Sequence, residues 1–132
     1  MAGAVRPDQR PVAPHLSVWR WHVTMLSSIL HRVTGIGLYL GFALFTYWLI
    51  AVASGPEAYA PVNFLLSTWF GQLGLYLLVA SLAYHLANGV RHLVFDTARG
   101  LKPVDADASA WFAIVFAVAA PVGLWLLVRF GS

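Results

Sequence analysis

Two short polar stretches interrupt long apolar runs in this sequence, and each carries groups that can do chemistry. In the first, helical spacing places Ser28, Arg32 and Gly35 on one face, with His31 beside them. A hydroxyl, an imidazole and a guanidinium meet there without an acidic neighbour, which indicates a site for an anion or a carbonyl oxygen rather than an ion pair. The alternative interpretation is that His31 and Arg32 only extend toward lipid headgroups.

The second stretch places histidines at helical spacing around a glycine. His85, Gly89 and His92 fall on one face of a helix, and His85 lies deeper in its apolar run than His92. A histidine at that depth needs a partner, and a glycine one turn away leaves room for a large flat group. This pattern indicates a haem with His85 as an axial ligand. The alternative is a histidine that forms a hydrogen bond with a neighbouring helix.

The placement of the histidines limits how such a haem could be bound. One straight helix cannot reach both faces of a porphyrin, so His85 and His92 cannot ligate the same iron. His31 is the only other histidine inside an apolar run, and it lies near the boundary where haem propionates would be. His15 and His22 precede the apolar core and are expected to be interfacial. A six-coordinate haem here therefore needs a histidine from a second chain.

The composition places both stretches in a membrane protein. Of the 132 residues, 60% are apolar and 10% charged, whereas soluble domains average about 45–50% and about 25%. Apolar runs at about 25–53, 64–93 and 110–130 are each long enough to cross a hydrocarbon core of about 30 Å. Residues 1–22 are expected to form a polar arm before a transmembrane domain that occupies 23–132. The predicted fold class is an all-α membrane protein with three transmembrane helices, part of a helical bundle.

The basic residues indicate the orientation of these helices. Seven of the eight lie on the side of the N-terminus and the second loop: Arg6, Arg10, Arg20, Arg32, Arg91, Arg99 and Lys102. Only Arg129 lies on the other side, so the N-terminus is predicted to be cytoplasmic (or in the matrix). The first loop, residues 54–63, is then short and outside. The net charge of +3 is explained by this topology, and nucleic-acid binding is not expected.

Smaller features carry less specific information. Gly37 and Gly41 form a G-x-x-x-G pattern, which can mark close helix packing in membranes. Asp96 is expected either to pair with Arg91 or to cap the cytoplasmic end of its helix. The chain has no Cys, which excludes thiolate chemistry and iron–sulfur ligation. No signal or transit peptide is visible, which favours a bacterial inner membrane over the mitochondrial inner membrane.

The chain resembles the cytochrome b membrane-anchor subunits of succinate dehydrogenase, respiratory complex II. The resemblance covers nearly the whole chain and rests on three segments, 10–16 (RPVAPHL), 28–35 (SILHRVTG) and 85–98 (HLANGVRHLVFDTA). The last of these matches the pattern H-x-x-x-G-V-R-H-L-x-F-D-x-A of that family without a mismatch. This pattern is long and specific, and it occurs together with the segment 28–35.

The resemblance implies a function that the helices alone do not. Such anchors hold a flavoprotein subunit with FAD and an iron–sulfur subunit at the membrane, where electrons from succinate reduce a quinone such as ubiquinone. By resemblance, Ser28 and Arg32 line the quinone pocket, and His85 ligates haem b opposite a histidine of a second anchor subunit. His31, Arg32 and His92 are expected to meet the haem propionates. The chain alone would hold no complete active site, and the iron–sulfur clusters would belong to a partner.

Two alternatives stay open at this point. The chain could be the anchor of a fumarate reductase, a related enzyme that runs in the opposite direction. It could also be a small helical transporter or an assembly protein. A transporter is expected to carry a broken helix or an acidic residue at mid-membrane. All five acidic residues instead lie at the ends of the apolar runs or in loops: Asp8, Glu57, Asp96, Asp105 and Asp107.

Overall fold

The computed structural model describes residues 19–131, which form four helices in chain order. These are α1 (Val23–Ala53), α2 (Pro56–Ser67), α3 (Trp69–Asp96) and α4 (Pro103–Phe130). Helices α1, α3 and α4 are long and apolar enough to cross a membrane, and no strand occurs between residues 19 and 131. The predicted three-span all-α fold is therefore confirmed, while the cytoplasmic placement of the N-terminus stays a prediction. Most of the predicted arm, with Arg6, Arg10 and His15, lies outside the described residues.

The segment between the first two spans differs from the prediction. A short loop was expected over 54–63, but α2 occupies most of it. Gly55 adopts a φ of 105°, which turns the chain sharply after α1. Pro56 then occupies the first turn of α2, where its missing N–H costs nothing, and Glu57 complements the positive end of the helix dipole.

A break at Thr68 separates α2 from α3. Thr68 is extended, and its side-chain oxygen accepts a hydrogen bond from the backbone N–H of Gly71 at 3.2 Å, which caps α3. The predicted second run, 64–93, is therefore divided between two helices, and the spanning helix begins at Trp69.

Helix α4 begins earlier than the apolar run that predicted it. Pro103 lies at its first turn together with Asp105, and both residue types favour a helix start. The segment read as a loop before residue 110 is thus mostly helical. Pro121 is buried inside α4, and the helix continues through it to Phe130.

Small residues bring the spanning helices together. The buried apolar residues are mainly alanines, among them Ala83 on α3 and Ala110, Ala113 and Ala117 on α4. Short side chains allow close approach of helices in a membrane, where no hydrophobic driving force acts between them. Most of the large apolar side chains are exposed on the outside of the three helices, as expected of surfaces that face lipid or other subunits.

Of the two glycines in the predicted G-x-x-x-G pattern, Gly41 lies at a close contact between helices and Gly37 does not. A Cβ atom at Gly41 would collide with Cδ1 of Leu78 on α3, whereas a Cβ at Gly37 would meet nothing within 4 Å. The clashing atom is the end of the flexible Leu78 side chain, which must shift, so Gly41→Val is expected to destabilise the α1–α3 contact by about 1 kcal/mol, the low end of the usual cost of overpacking. Gly37→Val is the matched control. The yield and thermal stability of the assembled complex in membranes measure the effect, and equal losses in the two variants would contradict this assignment.

Candidate functional site

Three histidines from two helices meet on the seam between α1 and α3. The rings of His31 and His85 are stacked, with centroids 3.9 Å apart and an interplanar angle of 10°. The ring of His92 lies 5.4 Å from that of His31, tilted by 53°. The structure thus brings together the histidines that the sequence placed in separate clusters. His31 and His85 are half-buried, whereas His92 is exposed.

The orientation of the His85 ring is set by a threonine on α1. Thr34 Oγ1 donates its proton to the backbone carbonyl of Leu30 at 2.8 Å, and it lies 3.3 Å from Nδ1 of His85. With the hydroxyl proton directed to the Leu30 carbonyl, the threonine oxygen can accept from an Nδ1–H, and this is the tautomer that we assign to His85. This assignment of the tautomer leaves Nε2 of His85 with a free lone pair. Gly35 makes room for the ring, since a Cβ there would lie 3.2 Å from Cε1 of His85.

These residues fit a haem bound by His85. A ligating histidine commonly donates its other ring N–H to a neighbour, as His85 does to Thr34. One turn further along α3, a Cβ at Gly89 would meet no atom within 4 Å, so space is open on this face. Within residues 19–131, no group of three or more His, Cys, Asp or Glu side chains could hold a metal ion. A six-coordinate haem bound by His85 would also need an axial ligand on its opposite face.

His31 is not placed to be that opposite ligand. Its ring lies flat against the ring of His85 at 3.9 Å, and a porphyrin cannot fit between two rings so close together. His31 Nδ1 is buried and has no hydrogen-bond partner in the described part of the chain. Since α3 is one continuous helix from Trp69 to Asp96, His92 cannot reach the other face of the same iron either.

Ser28 and Arg32 lie one turn apart on α1, and both side chains are exposed. The sequence placed Gly35 on the same face, but the structure separates it from them, because Gly35 packs against His85. Over residues 19–131, neither Ser28 nor Arg32 makes a side-chain hydrogen bond or an ion pair. A hydroxyl and a guanidinium are therefore both available to a molecule or subunit on the outside of α1.

A buried polar network next to the histidines was missed by the sequence analysis. Ser27 and Asn88 are fully buried, and Ser27 Oγ donates to Asn88 Oδ1 at 2.9 Å. The hydroxyl of Tyr84 donates to the backbone carbonyl of Ser27 at 2.7 Å. A signal was present, since Tyr84, Asn88 and Arg91 follow helical spacing along α3. Two adjacent serines on α1 therefore have opposite environments, with Ser27 inside and Ser28 outside.

Arg91 connects this network to α4, and its partner is not the predicted one. Its Nε donates to Ser109 Oγ at 2.9 Å, its Nη2 to the backbone carbonyl of Ala106 at 3.1 Å, and its Nη1 to Asn88 Oδ1 at 3.3 Å. Of the two roles expected for Asp96, the pair with Arg91 does not form, because the guanidinium binds Asn88 and α4 while Asp96 is exposed at the end of α3. Arg91 is thus a buried cation held by neutral acceptors.

His22 lies at the start of α1, outside the histidine cluster. Its Nδ1 is 3.4 Å from Oδ1 of Asp107 on α4, and its side chain is half-exposed. This contact ties the beginning of α1 to the beginning of α4. The interfacial role of His22 stays a prediction, and the contact with Asp107 gives His22 no part in the histidine cluster.

Comparison with known proteins places the chain in a family. The sequence model of the family of succinate dehydrogenase/fumarate reductase transmembrane subunits matches residues 6–124. The succinate dehydrogenase cytochrome b556 subunit of Paracoccus denitrificans is 36% identical over 126 residues, which cover 96% of both chains. The corresponding subunit of Rickettsia felis is 30% identical, with 90% of this chain and 93% of the relative covered.

A mitochondrial relative extends the comparison. The succinate dehydrogenase cytochrome b560 subunit of Bos taurus is 35% identical over 119 residues, covering 87% of this chain and 69% of the relative. The relatives are bacterial and mitochondrial, and the chain has three membrane-spanning helices. This multi-pass inner-membrane protein therefore belongs to the family of succinate dehydrogenase and fumarate reductase transmembrane subunits.

Proposed function

We propose that this chain anchors a succinate:quinone oxidoreductase in the membrane, supplies one axial ligand of haem b and forms part of the quinone-reduction site. The observation that carries the proposal is the 3.3 Å contact between Thr34 Oγ1 and Nδ1 of His85. This contact orients the ring and, in the tautomer assigned above, leaves Nε2 free to bind iron. The relatives compared above are all named succinate dehydrogenase, which favours succinate oxidation over fumarate reduction. The partners would be a flavoprotein subunit with FAD, an iron–sulfur subunit and a second anchor subunit.

In this proposal His85 binds the haem iron through Nε2, and Thr34 holds the imidazole in the required tautomer. When bound, haem b supplies a one-electron carrier inside the membrane. The stacked ring of His31 lies too close to His85 to serve as a second ligand, so we propose that the other ligand would be a histidine of the second anchor subunit. His31, Arg32 and His92 are the residues of this chain proposed to interact with the propionates. Arg32 supplies the positive charge for that interaction.

The quinone site is proposed on the outer face of α1. The Ser28 hydroxyl donates a hydrogen bond to a quinone carbonyl, and the Arg32 guanidinium stabilises the negative charge that develops on the oxygen during reduction. Both side chains are exposed in this chain, so the other walls of the pocket must come from neighbouring subunits. We assign these walls to the iron–sulfur subunit, which delivers the electrons, and to the second anchor.

Purification of the complex through a tag on this chain tests the proposal. Flavoprotein and iron–sulfur subunits should co-purify, the preparation should reduce ubiquinone with succinate, and a reduced-minus-oxidised spectrum should contain a b-type haem band. An active complex without that band would refute the haem assignment and leave the anchor role intact. A preparation without the flavoprotein would refute the anchor role proposed here.

The contact between Thr34 and His85 gives a sharper prediction. Thr34→Val keeps the shape of the side chain but removes the acceptor for Nδ1–H of His85. Loss of such an outer contact weakens metal-ligand sites by about 10–100-fold, so the purified complex should lose haem more readily. Thr34→Ser keeps the hydroxyl and is the matched control. The haem-to-protein ratio after extended washing measures the effect, and identical ratios in the Val and Ser variants would contradict the role of Thr34.

A further inference from the structure

Asn88 lies at the centre of the polar network that joins three helices. It is fully buried, and its Oδ1 accepts hydrogen bonds from Ser27 Oγ on α1 at 2.9 Å and from Arg91 Nη1 at 3.3 Å. Because both neighbours are hydrogen-bond donors, the amide atom that they contact is the oxygen and not the nitrogen. The Nδ2 group therefore points away from both, and it has no partner among the described residues. The contribution of Asn88 is thus made through its oxygen.

The network contacts the immediate neighbours of the residues proposed to bind haem and quinone. Ser27 precedes Ser28 on α1, and Tyr84 precedes His85 on α3. The hydroxyl of Tyr84 lies 2.7 Å from the carbonyl oxygen of Ser27 and 2.9 Å from its Oγ. Because a helix is stiff over one turn, the register of α1 against α3 at Ser27 determines where Ser28 lies relative to His85.

The charged side chain of Arg91, which is held by the third helix, α4, strengthens this connection. Arg91 is itself held by Ser109 and by the backbone carbonyl of Ala106 on α4, and it is only 9% exposed. Hydrogen bonds to a charged group are stronger than those between neutral groups. Asn88 therefore has a rigid, charged support on one side and the hydroxyl of Ser27 on the other.

We infer that Asn88 is a positioning residue for the quinone-reduction site: its oxygen, supported by Arg91, holds Ser27 and thereby places Ser28 and Arg32 of α1 relative to His85 of α3. This inference rests on the proposed function, because it concerns the same quinone and haem site. Asn88 contacts neither ligand itself and acts through Ser27. An apolar side chain could fill the same space, but it would not hold the helix register.

Two substitutions at Asn88 separate positioning from packing. Asn88→Leu keeps a similar shape but removes the acceptor, so the KM for ubiquinone should rise and the spectrum or potential of haem b should shift. Asn88→Asp keeps an acceptor for both Ser27 and Arg91 and removes the unpartnered N–H, so both properties should stay close to those of the wild type. Succinate oxidation with an artificial dye acceptor should be unchanged in the two variants. All measurements are made on the assembled complex.

Ser27→Ala provides a second variant that leaves the contact between Asn88 and Arg91 in place. It removes the hydrogen bond from Ser27 Oγ to Asn88 and the 2.9 Å contact of the Tyr84 hydroxyl with Ser27 Oγ, while the bond from Tyr84 to the Ser27 carbonyl remains. The KM for ubiquinone should therefore rise by at least the roughly 2- to 10-fold expected from one bond of ordinary strength. Thr46→Ala is the matched control on the same helix. Its hydroxyl bonds only to the carbonyl of Phe42 in its own helix, and its loss should leave quinone reduction unchanged.

The outcomes distinguish this inference from the proposed function. Wild-type KM values and haem spectra in both Asn88→Leu and Ser27→Ala would overturn the inference. So would an Asn88→Asp variant that assembles but is as impaired as Ser27→Ala, because its oxygen acceptor is retained. If the complex with Asn88→Leu does not assemble, the results for Ser27→Ala and Asn88→Asp still test whether Asn88 positions the quinone site. Arg32→Ala, measured in parallel, tests the quinone site itself, and wild-type quinone reduction in that variant would refute the proposed function instead.

Discussion

Replacement of His85 with alanine is expected to remove haem b from the assembled complex, or to leave it only loosely bound. The ring of His85 is oriented by Thr34 through Nδ1, and His85 is the only residue of this chain that we propose to bind the iron. The b-type absorbance per complex should therefore fall to a small fraction of the wild-type value. The flavoprotein and iron–sulfur subunits should remain associated, because the helix contacts of α3 do not depend on this side chain alone.

His22→Gln is the matched control for this experiment. His22 is a half-exposed histidine at the start of α1 that contacts Asp107 and takes no part in the histidine cluster. The haem content of the complex with His22→Gln should equal that of the wild-type complex. Undiminished absorbance in His85→Ala would refute the ligand assignment, whereas loss of the whole complex in that variant would make His85 a determinant of assembly.

Removal of Arg32 is expected to abolish most quinone reduction while succinate oxidation continues. Arg32→Ala deletes a charged donor, and such hydrogen bonds correspond to about 10- to 150-fold in rate or affinity. Ser28→Ala deletes a neutral donor and should cost about 2- to 10-fold. Succinate:ubiquinone and succinate:dye activities are measured on the same preparations, and only the first should fall.

A basic residue at the other end of the molecule controls for general charge effects. Arg129 lies in the last turn of α4 and is exposed, so Arg129→Ala should leave both activities unchanged. If Arg32→Ala and Ser28→Ala lowered the two activities in equal proportion, the residues would determine assembly rather than quinone chemistry.

The spanning helices were largely predictable, and the helix between them was not. Long apolar runs define α1, α3 and α4, because a membrane requires both length and hydropathy. The sequence predicts residues 56–63 of α2 as part of a loop and residues 64–67 as the start of the second apolar run, since Pro61 and Asn63 disfavour helix by local preference. Pro61 nevertheless lies inside α2, so the preferences of single residues do not decide the conformation of this segment.

The candidate site was predictable as a set of residues but not as an arrangement. Helical spacing selects residues that share a face of one helix, so the grouping of His85 with His92 is visible in the sequence. The stacking of His31 on His85 depends on the register between α1 and α3, which no spacing within one helix contains. The inward turn of Ser27 and the contact of Arg91 with α4 depend on the same register.

The most direct test of the central claim is the structure of the assembled complex at a resolution that shows the haem and its ligands. The account predicts that the iron is bonded to Nε2 of His85 on one face and to a histidine of a second anchor subunit on the other, with Thr34 Oγ1 at Nδ1 of His85. An iron bonded to His31 or His92, or a complex that reduces quinone with no haem beside His85, would contradict it.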